Sequence, residues 1–237
     1  MNHLITNPVI CGSPYEAGVS IFSELSGARV LVVEDEPSIR NAFALALEDD
    51  RWVVETAEDG IAATGKVGER RFGLLLADLR MPGLDGIGLI RRMRANNDFT
   101  PAMLCTADLG MSEFLAAVKL GVVTFLLKPV SLTTLRSVVE TALCQRPTDP
   151  VELAFEEAEK MNFARAGEML RAELTRIASW ELERWENLFT RLGEGLEDAS
   201  LTKAASLVLE DVMQGRVSRP MYGVKAGIRA VRGRGTS

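Results

Sequence analysis

The chain has a single histidine, His3, near its N-terminus. One imidazole leaves no basis for a histidine-rich zinc site, a Ser-His-Asp triad or a phosphohistidine domain. Cysteine is equally scarce. Cys11, Cys105 and Cys144 are odd in number and lack metal-ligand spacing, which argues against a disulfide framework and suits a reducing cytoplasm. No apolar run is long enough to span a bilayer, so no membrane role is expected. The opening stretch MNHLITNPVICGSPYEAG lacks a basic start, and Pro and Gly interrupt its apolar pieces, so it does not read as a signal peptide.

What is present is the composition of a soluble globular protein: 237 residues, 47% hydrophobic and 25% charged. From Arg29 to about Cys144, short β-rich runs alternate with helical patterns. RVLVV, RWVVETA, FGLLLA, PAMLCT and VTFLL read as five strands, and the unalternating LVV, LLL and FLL suit parallel strands covered on both faces. Between them lie helical patterns near 37–47, 60–69, 86–95 and 112–120, with a fifth from about 131 to 144. Pro37 suits a first helical turn, and Ser112 and Ser131 suit N-caps. Alternation of this kind implies βαβ crossovers and an α/β domain.

QRPTDPV, residues 145–151, has two prolines and no apolar pattern, and marks a linker. Beyond it the sequence is helical throughout. Ala178, Leu182, Trp185, Phe189 and Leu192 step by four and three to form one apolar stripe, and Asn162-Phe163 breaks the first segment into a hairpin. Trp180 and Trp185 are expected to fill a helical interface, and Arg91, Arg92 and Arg94 to form a solvated helix face. The expected organisation is an N-terminal flexible extension (1–27), the α/β domain (28–145), a linker (146–151), an all-α region (152–215) and a basic tail (216–237). The tail carries 6 basic residues and no acidic one, whereas residues 146–215 carry 8 basic against 15 acidic.

In an open parallel sheet, ligands sit beyond the carboxyl ends of the strands. Glu34 and Asp35 close LVV, Asp78 closes LLLA, Thr106 closes the fourth strand and Lys128 the fifth. Converging carboxylates call for a divalent cation, and oxygen-only ligands favour Mg²⁺. A carboxylate can also attack phosphorus to give an aspartyl phosphate, with Lys128 supplying a cation and Thr106 a hydroxyl donor.

LVVEDEP, ADLRMPGLDG, CTA and FLLKP, in this order, resemble the receiver domain of bacterial two-component response regulators. The resemblance covers residues 28–145 and implies a flavodoxin-like five-stranded parallel sheet. It implies Asp78 as phosphoacceptor, Asp35 as direct metal ligand, Glu34 as its outer-sphere companion and the Arg80 backbone carbonyl as a further ligand. Thr106 and Lys128 would bind the phosphoryl group, the Lys128-Pro129 bond would be cis, and Phe125 would be an aromatic switch that turns inward. The implied partner is a histidine kinase or phosphotransfer protein, and the implied role is signalling rather than enzymatic, with at most slow autodephosphorylation. For the output, a helical protein-interaction or dimerisation region is favoured over DNA binding. LTKAASLVLEDVMQG echoes the start of a helix-turn-helix, but the following RVSRPMYGVKAG puts a proline and two glycines where a recognition helix belongs.

Overall fold

The computed structural model describes residues 28–144, 150–175, 179–195 and 197–214. The α/β part runs β1 (Ala28–Val33), α1 (Pro37–Leu47), β2 (Trp52–Ala57), α2 (Gly60–Glu69), β3 (Leu74–Asp78), α3 (Gly86–Ala95), β4 (Ala102–Thr106), α4 (Met111–Lys119), β5 (Thr124–Leu127) and α5 (Leu132–Cys144). The strands form one parallel sheet in the order β2-β1-β3-β4-β5, which is the flavodoxin-like winding. Its order reverses between β1 and β3, so the carboxyl ends of those two strands border the crevice where a ligand would sit.

Strand residues alternate between two cores, because successive side chains leave a strand on opposite faces. Val30, Val32, Leu74, Leu76, Met103, Cys105 and Leu126 pack with Phe43, Leu47, Leu135 and Val139 beneath α1 and α5. Leu31, Val33, Leu75, Ala77, Leu104 and Phe125 face α2, α3 and α4. The helix starts are set by side chains: Asp59 accepts from the Ala62 N–H at 2.7 Å, Asp85 from Gly88 at 2.6 Å, and Ser131 from Thr134 at 3.0 Å. Ser112 does not cap its helix. α4 starts one residue earlier, and Glu113 Oε2 accepts from the backbone N–H of Gly110 at 2.9 Å, since glycine has no side chain with which to cap.

The C-terminal part is four helices, α6 (Pro150–Glu159), α7 (Phe163–Leu174), α8 (Trp180–Gly193) and α9 (Ala199–Met213). α6 begins inside the stretch read as linker, with Pro150 in the first turn, where its missing N–H costs nothing. The turn at Asn162-Phe163 separates α6 from α7, with Met161 at φ +63°. Phe155, Trp185, Phe189 and Phe163 form one aromatic cluster with centroids 5.2–6.1 Å apart. α7 and α8 approach closely through small residues, since a Cβ on Gly167 would lie 2.7 Å from Thr190 Oγ1 and one on Gly193 2.6 Å from the Ala164 backbone.

This helical part rests on the α/β part. Its buried side chains join the same core as Phe114, Ala117 and Val118 of α4, α9 packs against α4, and Lys119 pairs with Glu197. Gly121 turns the chain at φ +78°, and a Cβ there would lie 2.3 Å from the Glu159 carbonyl oxygen.

Two surface expectations are corrected. Arg94 is buried, because its Nε donates to Leu120 O at 2.9 Å and its Nη1 to Asp98 O at 2.7 Å and Thr100 O at 3.1 Å. It ties the end of α3 to the end of α4 while Arg91 and Arg92 stay exposed. Trp180 remains at the surface, with the Arg184 guanidinium 4.8 Å above its ring, and only Trp185 fills the interface. Ala178, His3, Cys11, the 1–27 extension and the basic tail lie outside the described residues. LTKAASLVLEDVM lies within α9, and the stretch after it is also outside them.

Candidate functional site

β1 ends at Val33 and delivers Glu34 and Asp35 to the sheet edge; β3 ends on Asp78 beside them. Asp78 is in register with Cys105 of β4, and the Lys128 N–H donates to Thr106 O at 2.7 Å, so the ends of β4 and β5 meet at the same edge. Glu34 is 2% and Asp78 8% exposed, which makes this a nearly dry pair of carboxylates. Lys128 lies between them, its Nζ donating to Glu34 Oε2 at 2.8 Å and Asp78 Oδ2 at 2.6 Å. That ammonium offsets the desolvation cost of the buried acids.

The pKa directions follow from this packing. Burial pushes the Glu34 carboxyl above its usual range; the Lys128 hydrogen bond pulls it down and the Asp78 charge pushes it up again. Burial also works against the Lys128 ammonium, but its hydrogen bonds to Asp78 and Glu34 outweigh burial and hold its pKa above normal. On the neighbouring strand, burial pushes the Cys105 thiol up to about 12, so it has no thiolate to offer.

One carboxylate oxygen each of Glu34, Asp35 and Asp78 lies within 4.8 Å of the others. This is an all-oxygen donor set of high negative charge, and it fits a hard divalent cation such as Mg²⁺. Two close backbone approaches shape the rim. The Arg80 N–H donates to Asp78 Oδ1 at 3.0 Å, and a Cβ on Gly86 would sit 2.4 Å from the Asp78 carbonyl oxygen.

The structure thus brings together Glu34, Asp35, Asp78 and Lys128. Thr106 ends the adjacent strand, but its hydroxyl donates to Asp108 O at 2.6 Å, away from the carboxylates. Phe125 is already buried, its ring 5.3 Å from that of Phe114 in α4. The Lys128-Pro129 bond is cis, as the resemblance implies. Sequence reasoning missed two arginines. Arg40 Nη1 donates to Glu34 O at 2.7 Å and Asp35 O at 3.2 Å, holding the acidic loop from α1. The Arg80 side chain reaches Asp108 and Glu113, whereas only its backbone carbonyl was singled out. Neither carries a local signal, because each contact depends on how a loop is folded.

A parallel sheet of this winding, with an acidic edge bridged by a lysine, is the architecture of a receiver-type α/β domain. Comparison with known proteins agrees: residues 30–140 match the response regulator receiver domain. The transcriptional regulatory protein TrcR of Mycobacterium tuberculosis is 34% identical over 110 residues, covering 46% of this chain and 43% of that protein. The response regulator MprA of Mycobacterium avium is 32% identical over 125 residues, 52% of this chain and 55% of that one. The chain therefore spans about half the length of these curated relatives. Among solved structures, the chemotaxis protein CheY4 of Vibrio cholerae is 30% identical, with 49% of this chain and 98% of that one covered and a TM-score of 0.46. Residues 30–140 are therefore a response regulator receiver domain. The C-terminal helices lie beyond the matched residues. Among the described residues, no helix is long and apolar enough to cross a membrane.

Proposed function

We propose that the protein is a cytoplasmic phosphorelay switch that accepts a phosphoryl group on Asp78 from a histidine kinase or phosphotransfer protein. The observation that carries this reading is the Lys128 ammonium hydrogen-bonded at once to Glu34 and Asp78, with the Asp35 carboxylate beside them. In the transfer, an Asp78 carboxylate oxygen attacks phosphorus in line. The new O–P bond forms as the donor's N–P bond breaks, and that electron pair leaves with the donor imidazole. Lys128 stays at the edge and pairs with the charge on the transferred oxygens, and Thr106, released from Asp108, donates its hydroxyl to one of them. Asp35, Asp78 and the Arg80 carbonyl would hold Mg²⁺, with Glu34 behind them; the ion supplies charge neutralisation on the phosphoryl oxygens. Phe125 acts as the switch, coupling the edge to Phe114 of α4.

The output is the helical region, as a protein-interaction or dimerisation module: α6 to α9 carry a large aromatic core and no nucleophile-base or metal motif among the described residues. A second reading, DNA binding, draws on the basic tail and on the names of relatives called transcriptional regulators. Sequence-selective retention of a DNA fragment at physiological salt would decide for it, because counterion release alone gives binding that is sequence-independent and weakens with salt. The phosphoacceptor reading is tested by incubating the protein with acetyl phosphate and Mg²⁺ and measuring its intact mass. One added phosphoryl group is expected in the wild type and none in Asp78→Asn; a phosphorylated Asp78→Asn protein would overturn the assignment.

A further inference from the structure

Arg80 stands two residues after Asp78 in the loop that leads to α3, and its own N–H already donates to the Asp78 carboxylate. Its side chain reaches across to the start of α4. Nη2 lies 3.5 Å from Asp108 Oδ2 and Nη2 also lies 3.1 Å from Glu113 Oε1. Glu113 is the acid that closes the start of α4, through its Oε2 and the Gly110 N–H at 2.9 Å. One guanidinium therefore links the phosphoacceptor loop to the first turn of the helix on which the C-terminal region rests. At the other end of α4, Lys119 pairs with Glu197 just before α9, and Phe114 between them packs on Phe125.

We propose that Arg80 is a phosphoryl-sensing residue. It tethers α4 while Asp78 is a free carboxylate and exchanges Glu113 and Asp108 for the phosphoryl oxygens once Asp78 is phosphorylated, loosening the seat of the helical region. This inference rests on the reading of Asp78 as phosphoacceptor.

Relative strengths decide the exchange. The Arg80 side chain is 59% exposed and those of Asp108 and Glu113 are 74% and 31% exposed, so each carboxylate contact is an exposed ion pair. Such a pair shifts a population by a factor of about five at most. A phosphoryl group brings about two negative charges and three acceptor oxygens, and a guanidinium binds it through two parallel N–H···O bonds. It would also arise at the root of the Arg80 side chain, whereas Asp108 and Glu113 are approached only by its far end. Glu113 keeps its place when Arg80 leaves, because a carboxylate at a helix N-terminus is favoured by the helix dipole. What is lost is the tether, and the cap stays.

The test is amide hydrogen exchange on the full chain, with and without acetyl phosphate and Mg²⁺, followed in peptides covering Met111–Lys119 and Ala199–Met213. Phosphoryl occupancy is read by intact mass in the same samples. Phosphorylation of the wild type should speed exchange in both helices about threefold, the size expected for losing an exposed ion pair. Arg80→Ala should show that faster exchange without phosphorylation and gain nothing further from it. Glu113→Gln keeps an oxygen for the Gly110 N–H but loses the charge, and should behave as Arg80→Ala does; this separates the tether from the cap. A fully phosphorylated wild type with unchanged exchange in α4 and α9 would overturn the inference alone. So would an Arg80→Ala or Glu113→Gln protein that keeps wild-type protection and response. A wild type that takes up no phosphoryl group would overturn the phosphoacceptor reading and this inference with it.

Discussion

Asp78 is held from two directions, by the Lys128 ammonium and by the Arg80 N–H, and the same ammonium also pairs with the Glu34 carboxylate. The acids, the lysine and the threonine were legible in the sequence because they stand at strand ends, and hydrophobic runs locate strand ends well. The arginines were not visible. Arg40 reaches the Glu34 and Asp35 carbonyls from the first turn of α1, and Arg80 looks like any exposed arginine until α4 comes near. Asp35 is the exposed member of the acidic group and has no lysine contact among those described, so its charge is free to meet a cation. Replacing it should relieve repulsion from Glu34 and Asp78 and leave the fold standing. Asp35→Ala is therefore expected to weaken Mg²⁺ affinity by at least about tenfold, the scale set by losing one hard anionic ligand. Titration with Mg²⁺ followed by calorimetry, alongside a thermal melt, checks both halves; unchanged affinity would mean that the acidic pocket is misassigned.

At the scale of elements, the five strands and their helices follow from apolar runs and caps. The errors fall where a residue's role depends on which neighbouring group the folded chain brings to it. Ser112 looked like a cap, but Glu113 satisfies the Gly110 N–H from within the helix. Arg94 looked solvated, but the carbonyls of Asp98, Thr100 and Leu120 converge on it. Gly121, which the sequence reading did not single out, also depends on a distant neighbour, because its demands come from both φ and contact. Gly83 at φ +77° has only Ile61 Cδ1 at 4.0 Å, whereas Gly121 at φ +78° has the Glu159 carbonyl 2.3 Å from a would-be Cβ. Gly83→Ala should then cost about 1 kcal/mol for the left-handed backbone alone. Gly121→Ala should cost about 2–4 kcal/mol, since backbone must also move and the contact between α6 and the receiver opens. Urea denaturation of the two variants measures the difference, and equal costs would show that this close approach does not fix the helical region.

For the molecule as a whole, the sequence made the organisation legible: an α/β domain with an acidic cluster at one sheet edge, then helices with an aromatic core. It did not show that the two share one hydrophobic core through α4, because Phe114, Ala117 and Val118 would be buried in the receiver in either case. The seat of the helices on α4 leaves a short path between Asp78 and the helical region, through Phe125 and Phe114 on one side and Arg80 and Glu113 on the other. Everything in that path presumes that the phosphoryl group resides on Asp78. An acyl phosphate is reduced by borohydride to the corresponding alcohol, so an aspartyl phosphate leaves homoserine at its position in the chain. The most direct measurement is to phosphorylate the full chain with acetyl phosphate and Mg²⁺, reduce it, and map the peptides by mass spectrometry. Homoserine at residue 78 alone, and only when Mg²⁺ is present, is the predicted result; homoserine at Glu34 or Asp35 is chemically excluded or misplaced respectively, and a modified acid anywhere but residue 78 would contradict the account.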